Sequence, residues 1–350
     1  MKKIVALLLA VIMVVGLVAC TKEPQAEVAA PAATEAAPAA TEAAPAAPEA
    51  AEKDIIVVGY SNTGGSYGWR AANIKSFEET FVEANGYKLI IDDAQEKQEN
   101  QIKAIRNFIQ QGVDYIVIAP VVQTGWEAVL GECRDAGIPV IISDRDIVVS
   151  DDTLYEAFVG SNFIEEGEKA MDWLVKYLDE QGRGEEKINM VMLQGPTGAS
   201  AEIGRTKAVE DFVAANSDRF TLLAKQNAEW SETKGQEVME SFLKAHDKID
   251  VLVAQNDEMA RGGCTAIEAV GLDAGKDVIV ISFDGNGWAL QMILDGDINC
   301  IVECNPLHGP RVQGLIEKLE AGEAVDKLSY VDDGLFDITN TAELLPTRAF

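Results

Sequence analysis

The chain has 350 residues, a length that suits two compact domains, and 47% of its residues are hydrophobic, enough for a substantial core. Its formal net charge is −29, because 58 acidic residues face only 29 lysines and arginines. Nucleic acids and anionic lipid surfaces both bind clustered basic residues, so this charge argues against either as a partner. We interpret it as a well-solvated acidic surface.

The chain begins with a short basic segment and the apolar run IVALLLAVIMVVGLVA, which has 16 residues and ends just before Cys20. A membrane-spanning helix needs about 20 apolar residues, so the run predicts the core of a signal peptide, residues 1–19. The residues at its end, LVAC, resemble the lipobox of bacterial lipoproteins. This resemblance implies a lipid anchor on Cys20 at the outer, periplasmic face of the cytoplasmic membrane. An ordinary secretory signal is the alternative.

Residues 20–53 are rich in Ala, Pro and Glu, and the sequence PAATEAA occurs twice within 31–44. Proline recurs every seven residues and breaks any helix, and no apolar side chain larger than Ala occupies the repeat. We therefore expect a disordered spacer between the lipidated cysteine and the folded part of the chain.

From residue 55 onwards, short apolar runs rich in β-branched residues alternate with amphipathic helical patterns. This alternation predicts parallel sheets covered by helices on both faces. About ten strands are too many for one small α/β domain, so we expect an α/β fold with two doubly wound parallel-sheet lobes. The predicted strands are DIIVVGYS, KLIIDD, YIVIAPV, PVIISDR, YEAFVGS, INMVMLQG, FTLLAKQ, DVLVAQND, DVIVISFDG and NCIVECN.

Polar side chains stand at the ends of several of these strands. Ligands of open parallel sheets bind beyond the carboxyl ends of the strands, so this recurrence favours a polar ligand site there. The alternative is that individual Asp and Asn residues cap helices or form turns. The strand-end residues are Ser61, Asp144, Arg145, Asn256, Asp257 and Asp284.

Cysteine and histidine are scarce after Cys20, with four cysteines and two histidines. No CxxC pair or zinc-binding spacing is present, so we expect no metal and no cofactor. Cys300 and Cys304 are about 13 Å apart along the predicted strand, too far for a disulfide unless the chain bends sharply there, so we expect these two to be buried thiols. P-loop, dinucleotide-binding, G-x-S-x-G and HExxH motifs are absent, so we expect neither catalytic residues nor enzyme activity.

Several longer motifs resemble one family: GWRAAN, QEKQENQIKAIRNFIQQGVDYIVIAPVVQTGWE, AGIPVIISDRDI, LQGPTGASAEIGR, KGQEVMESFLKA, AQNDEMARGG and ISFDGNGWA. With them, residues from about 55 to 345 resemble the type I periplasmic sugar-binding proteins of bacterial ABC importers, the ribose-binding-protein group, and within it the galactofuranose binders. The resemblance implies a hinged clamp of two lobes joined by three crossovers. It assigns residues 55–160 plus 304–332 to an N-terminal lobe and residues 161–303 plus 333–350 to a C-terminal lobe.

The resemblance also implies which residues bind sugar. Aromatic side chains cover the C–H faces of a sugar, and charged or amide groups hydrogen-bond its hydroxyls. The alternatives are that Trp230 is an ordinary core aromatic and that Arg205 is exposed and pairs with Glu202. We assign the remaining tryptophans to packing: Trp126, Trp173 and Trp288. The positions that match sugar contacts are Trp69, Arg70, Asp144, Arg145, Arg205, Trp230, Asn256, Asp284 and Glu303, to which we add the strand-end residues Ser61 and Asp257.

The sequence thus predicts a monomeric, lipid-anchored receptor that captures a monosaccharide between two lobes and delivers it to the subunits of an ABC permease. Galactofuranose, another furanose and a pyranose all fit the aromatic and polar residues. A sugar-sensing subunit that signals to a chemoreceptor or histidine kinase is the alternative, because it would use the same closed state. The effector domain of a transcriptional regulator is disfavoured, because a signal peptide and an acidic spacer occupy the place of a DNA-binding segment.

Overall fold

The computed structural model describes residues 55–65 and 68–350. The predicted signal peptide, the predicted lipidation site at Cys20 and the predicted spacer lie outside these residues. Within the two described ranges, no helix is both long enough and apolar enough to cross a bilayer.

Strands and helices alternate along the described chain, as the hydrophobic pattern predicts. The strands are β1 Ile56–Asn62, β2 Tyr87–Asp93, β3 Tyr115–Ile118, β4 Val140–Asp144, β5 Ala157–Gly160, β6 Ile188–Gln194, β7 Phe220–Asn227, β8 Val251–Ala254, β9 Ile279–Asp284, β10 Cys300–Glu303, β11 Leu328–Tyr330 and β12 Leu335–Asp337. The helices are α1 Gly68–Thr80, α2 Gln98–Gln111, α3 Glu127–Asp135, α4 Phe163–Glu180, α5 Ser200–Ala215, α6 Glu232–Ala245, α7 Asp257–Ala269, α8 Gly287–Asp295, α9 Gly309–Glu320 and α10 Thr341–Leu344.

These strands form two six-stranded sheets, in the orders β11-β5-β4-β3-β1-β2 and β12-β10-β9-β8-β6-β7. Every neighbouring pair is parallel except β10 and β12, which are antiparallel. The strands β3 (YIVI) and β8 (VLVA) are buried along their whole length, because helices cover both faces of each sheet. The predicted α/β class with two doubly wound sheets is confirmed.

The strands β11 and β12 were not among the ten predicted from the sequence. Each has only three residues, LSY and LFD, and most of their side chains are at least partly exposed. Both lie at the edge of a sheet. An edge strand covered on fewer sides needs no continuous apolar run, so hydrophobic patterning does not reveal it.

The chain passes between the sheets three times, at residues 161–162, 304–308 and 331–334. The first passage joins β5 to α4, which contacts β10 of the second sheet. The second passage joins β10 to α9, whose apolar residues belong to a core cluster of the first sheet. The third joins β11 to β12. These passages bring the carboxyl ends of strands from both sheets to one region.

The predicted packing residues are found inside the protein. Cys133, Cys264, Cys300 and Cys304 are all buried free thiols. Trp126 and Trp173 belong to core clusters, and Trp288 packs against one, so their assignment to packing is confirmed. The Trp173 indole N–H also donates to the Asp337 carboxylate at 2.9 Å.

Candidate functional site

One cavity lies where the carboxyl ends of strands from the two sheets meet. The residues that line it come from both sheets and combine aromatic rings, three guanidinium groups and two carboxylates. Eight of them are predicted site residues. The full lining is Trp69, Arg70, Asp144, Arg145, Phe163, Ala201, Arg205, Trp230, Asn256, Asp284 and Cys304.

The wall formed by the first sheet is built around Arg70. Its side chain is fully buried; it donates one hydrogen bond to the Asp144 carboxylate and another, of 3.1 Å, to Asn73 Oδ1. The guanidinium carbon lies 4.8 Å from the centroid of the Trp69 ring, and the Trp69 indole N–H donates to the backbone oxygen of Cys304 at 2.6 Å. Arg70 and Trp69 therefore form one rigid surface in which a stacked ring and a fixed donor face the cavity.

The wall formed by the second sheet is built around Arg205. This side chain is 2% exposed, donates to Glu166 at 2.7 Å and to the backbone oxygen of Gln255 at 2.6 Å, and lies 3.9 Å from Asp284. The alternative of an exposed Arg205 paired with Glu202 is wrong. The arginine turns inward because the buried Glu166 carboxylate on α4 needs a counter-charge.

The two carboxylates in the cavity have opposite pKa shifts. Burial alone would raise the pKa of Asp144, but the guanidinium groups of Arg70 and Arg145 hold it below its usual value. Burial raises the pKa of Asp284 well above its usual value, and the more distant Arg205 does not offset this effect. Asp144 is therefore a fixed anionic acceptor, whereas a protonated Asp284 can also donate to a hydroxyl group.

Trp230 lies in the left-handed region of backbone space, with φ of 55°. Its ring packs directly on the backbone at Gly195, where a Cβ atom would overlap the indole. The ring belongs to a core cluster and also lines the cavity. Its buried indole nitrogen has no hydrogen-bond acceptor among the described residues, so Trp230 can offer both an apolar face and a donor to a ligand.

Replacing Gly195 with alanine should therefore weaken ligand binding at least about fivefold, because the added methyl group displaces the Trp230 ring, with a strain cost of about 1–3 kcal/mol. Titration calorimetry measures the affinity, and thermal unfolding measures the stability. Gly314→Ala on α9 is the matched control, because a Cβ there meets open space. An unchanged affinity in Gly195→Ala would show that Trp230 is only a core aromatic.

Three predicted residues do not line the cavity. Ser61 is buried within β1, where its backbone oxygen accepts from Ala119. The Glu303 carboxylate accepts from Arg348, from Asn305 Nδ2 at 3.1 Å and from the Gly334 N–H at 3.0 Å. Glu303 thus joins two of the passages between the sheets, and its neighbour Cys304 lines the cavity in its place.

Asp257, the third, does not line the cavity but hydrogen-bonds the turn that carries a lining residue. Its carboxylate accepts from Ser282 Oγ at 2.7 Å, from the Gly285 N–H at 2.9 Å and from the Asn286 N–H and Nδ2 at 2.8 and 3.0 Å. The turn that it holds contains Asp284 at φ of 104°, a conformation that costs about 1–3 kcal/mol outside glycine. Asp257 therefore positions Asp284.

Sequence reasoning missed three lining residues, namely Phe163, Ala201 and Cys304. Phe163 begins α4, directly after the two-residue passage that follows β5, and Cys304 directly follows β10, so both lie near strand ends like the predicted residues. They were missed because they are apolar or weakly polar, and a search for polar strand ends does not find them. Among the described residues, no cluster of three or more His, Cys, Asp or Glu side chains could hold a metal ion.

Two mostly parallel sheets with a polar and aromatic cavity between them define the class of this protein. A family model described as a periplasmic binding protein domain matches residues 58–308, and the chain belongs to this family. Its homologues are extracytoplasmic substrate-binding proteins and not enzymes, and the chain is of the same kind.

Particular relatives are similar over most of the chain. The galactofuranose-binding protein YtfQ of Escherichia coli (strain K12) is 40% identical over 285 residues, which cover 80% of this chain and 87% of the relative. A Mycobacterium smegmatis structure in complex with β-D-fucofuranose has 40% identity and a TM-score of 0.79, and the match covers 84% of this chain and 95% of that one. The binding protein of the arabinose ABC transporter from Shewanella sp. ANA-3, bound to α- and β-L-arabinofuranose, has 39% identity and a TM-score of 0.77, with 84% and 95% covered.

Proposed function

We propose that this protein is a lipid-anchored extracytoplasmic receptor that captures a monosaccharide in its furanose form and delivers it to an ABC permease. The observation that carries the proposal is the convergence of eight predicted polar and aromatic residues on one cavity between the sheets. The furanose ligands named for the M. smegmatis and Shewanella structures support the ring form.

The chemistry of the cavity suits a small sugar. Trp69, Trp230 and Phe163 offer apolar faces to C–H groups, while the arginines and Asp144 offer charge-assisted hydrogen bonds to hydroxyls. A site built from buried polar groups discriminates strongly, because an analogue that lacks a hydroxyl leaves those groups unpaired. Such a site suits a receptor that must select one sugar.

The proposed motion is closure of two lobes about the three passages. The N-terminal lobe would contain residues 55–160 plus 304–332, and the C-terminal lobe residues 161–303 plus 333–350. Two hydrogen bonds across the proposed cleft support a closed arrangement in this structure. The Gln123 N–H donates to the Gly198 backbone oxygen at 3.2 Å, and the Asp146 N–H donates to the side-chain Oγ of Ser200 at 3.1 Å.

A thermal-shift screen of the full-length protein tests the function. Equilibrium solutions of D-galactose, D-fucose and L-arabinose contain a furanose fraction, and at least one should raise the melting temperature, because a ligand at 100 times its Kd adds about 2.7 kcal/mol to the stability. NMR of bound sugar labelled with carbon-13 at C1 then identifies the ring form, since furanose C1 resonates downfield of pyranose C1.

myo-Inositol, a cyclic polyol without a ring oxygen, is the control ligand and should give a smaller shift. A screen in which no sugar raises the melting temperature contradicts the sugar-binding function, and a bound pyranose signal contradicts the furanose form. Deleting the gene should abolish uptake of the same sugar. If uptake persists while a cellular response to that sugar is lost, the protein is a sensing subunit instead.

A further inference from the structure

The first turn of α1 receives a carboxylate from the opposite side of the cleft. The Gly68 N–H donates to Glu258 Oε1 at 3.1 Å. Gly68 begins α1, whose Phe77 packs in a core cluster with strands of the first sheet. Glu258 lies in the first turn of α7, which packs on β8 and β9 of the second sheet. The bond therefore connects the two sheets directly, outside the three passages of the chain.

Local chemistry explains why a carboxylate is favourable at this position. The first N–H groups of a helix have no intrahelical partner, and the helix dipole attracts negative charge there. The first turn of α1 contains no acidic residue of its own, so Glu258 supplies the acceptor from the other side. A Cβ atom at residue 68 would overlap the Asn286 side-chain oxygen, so a larger residue there would have to displace that side chain.

The same carboxylate is connected to the ligand cavity. Its second oxygen, Oε2, accepts from Asn256 Nδ2 at 2.7 Å, and Asn256 lines the cavity. Glu258 itself is 9% exposed and does not line the cavity. A ligand that engages the Asn256 amide therefore acts on the group that fixes the Glu258 carboxylate.

We propose that Glu258 is a closure latch: a positioning residue that does not touch the sugar but holds the two lobes shut over it through the Gly68 N–H. This inference rests on the proposed function and deepens it, because it states how the closed state retains the ligand. A bond that stabilises the closed state slows ligand release.

Stopped-flow tryptophan fluorescence of the full-length protein with L-arabinose and D-galactose tests the latch. Glu258→Ala should release the sugar about tenfold faster, the factor expected for loss of one buried hydrogen bond. Glu258→Gln should fall between the two, because its amide oxygen can still accept from Gly68 but its NH₂ group cannot accept from Asn256. Glu268→Ala, an exposed site on the same helix, should match the wild type.

Gly68→Ala disturbs the same contact from the other lobe and should also speed release of the sugar. The test therefore does not depend on the folding of a single variant. X-ray scattering of the ligand-free proteins adds a readout that needs no sugar: both alanine variants should show a larger radius of gyration than the wild type. If no sugar binds the wild type, the proposed function is wrong, and the larger radii alone then support the latch. If release rates and radii of both variants match the wild type, the latch is wrong.

Discussion

Asp284→Ala is expected to remove most of the stabilisation of the protein by sugar and to leave the ligand-free protein folded. The side chain is buried in the cavity, and burial raises its pKa well above its usual value, so the ligand-free protein gains little from this carboxyl group. In the complex, a buried hydrogen bond to a sugar hydroxyl is lost and its partner is left unpaired, which costs about 2–3 kcal/mol or at least about 30-fold in affinity.

Titration calorimetry and thermal unfolding separate the two effects for Asp284. Asp284→Asn keeps the shape and one acceptor, so its affinity should lie between those of the wild type and the alanine variant. Asp247→Ala removes an exposed carboxylate of the same lobe and should change neither property. Wild-type affinity in Asp284→Ala would show that the sugar site lies elsewhere, whereas an unfolded variant would show that Asp284 is structural.

Arg70→Ala should destabilise the protein itself as well as weaken sugar binding. It leaves the buried Asp144 carboxylate without its hydrogen-bonded partner, and breaking a buried ion pair in this way typically costs about 3–5 kcal/mol. Arg145, whose Nε lies 3.8 Å from the same carboxylate, offsets part of that cost. Urea unfolding near pH 7 measures the loss, and Arg134→Ala, which breaks a half-exposed pair with Asp151, should cost less than about 1 kcal/mol.

The pH dependence of the Arg70 effect has a defined sign. In the wild type the folded-state pKa of Asp144 is depressed, so the pair stabilises the fold above the unfolded pKa of about 4 and loses this contribution as the pH falls through the folded pKa. Without Arg70, burial dominates and raises the folded pKa of Asp144, so stability falls as the pH increases from the unfolded pKa of about 4 towards that raised folded pKa.

The difference between wild type and Arg70→Ala should consequently be largest near neutral pH and shrink towards about pH 3.5. Asp144→Asn in the Arg70→Ala background should recover part of the stability, because it removes the unpaired charge. A difference that is the same at both pH values, with no recovery in the double variant, would show that Arg70 acts through packing alone.

The residues around the cavity divide into those that face it and those that hold it in place. Asp257 fixes the turn that carries Asp284, and Glu303 binds Arg348, whose guanidinium also donates to the backbone oxygens of Asp284 and Gly285. Both acids occupy positions where sequence reasoning expected ligand contacts. Their hydrogen-bond partners are distant in the sequence. Residue spacing alone therefore cannot tell a residue that holds the cavity in place from one that contacts the ligand.

The sequence by itself determined the fold class, because continuous apolar strands such as those at β3 and β8 are stable only between two layers of helices. It also determined most of the cavity, because polar residues at the carboxyl ends of parallel strands necessarily meet at one edge of the sheet. Asp144, Asn256 and Asp284 illustrate this rule, since each follows or ends a strand and each lines the cavity.

Only the tertiary structure decided which partner each buried polar group has. Arg205 pairs with Glu166, 39 residues away, and not with Glu202 on its own helix; Gly68 meets Glu258, 190 residues away. Such pairs depend on how helices that are distant in the sequence pack against one another. The cost of leaving a buried charge or N–H group unsatisfied selects among arrangements that local sequence leaves equivalent.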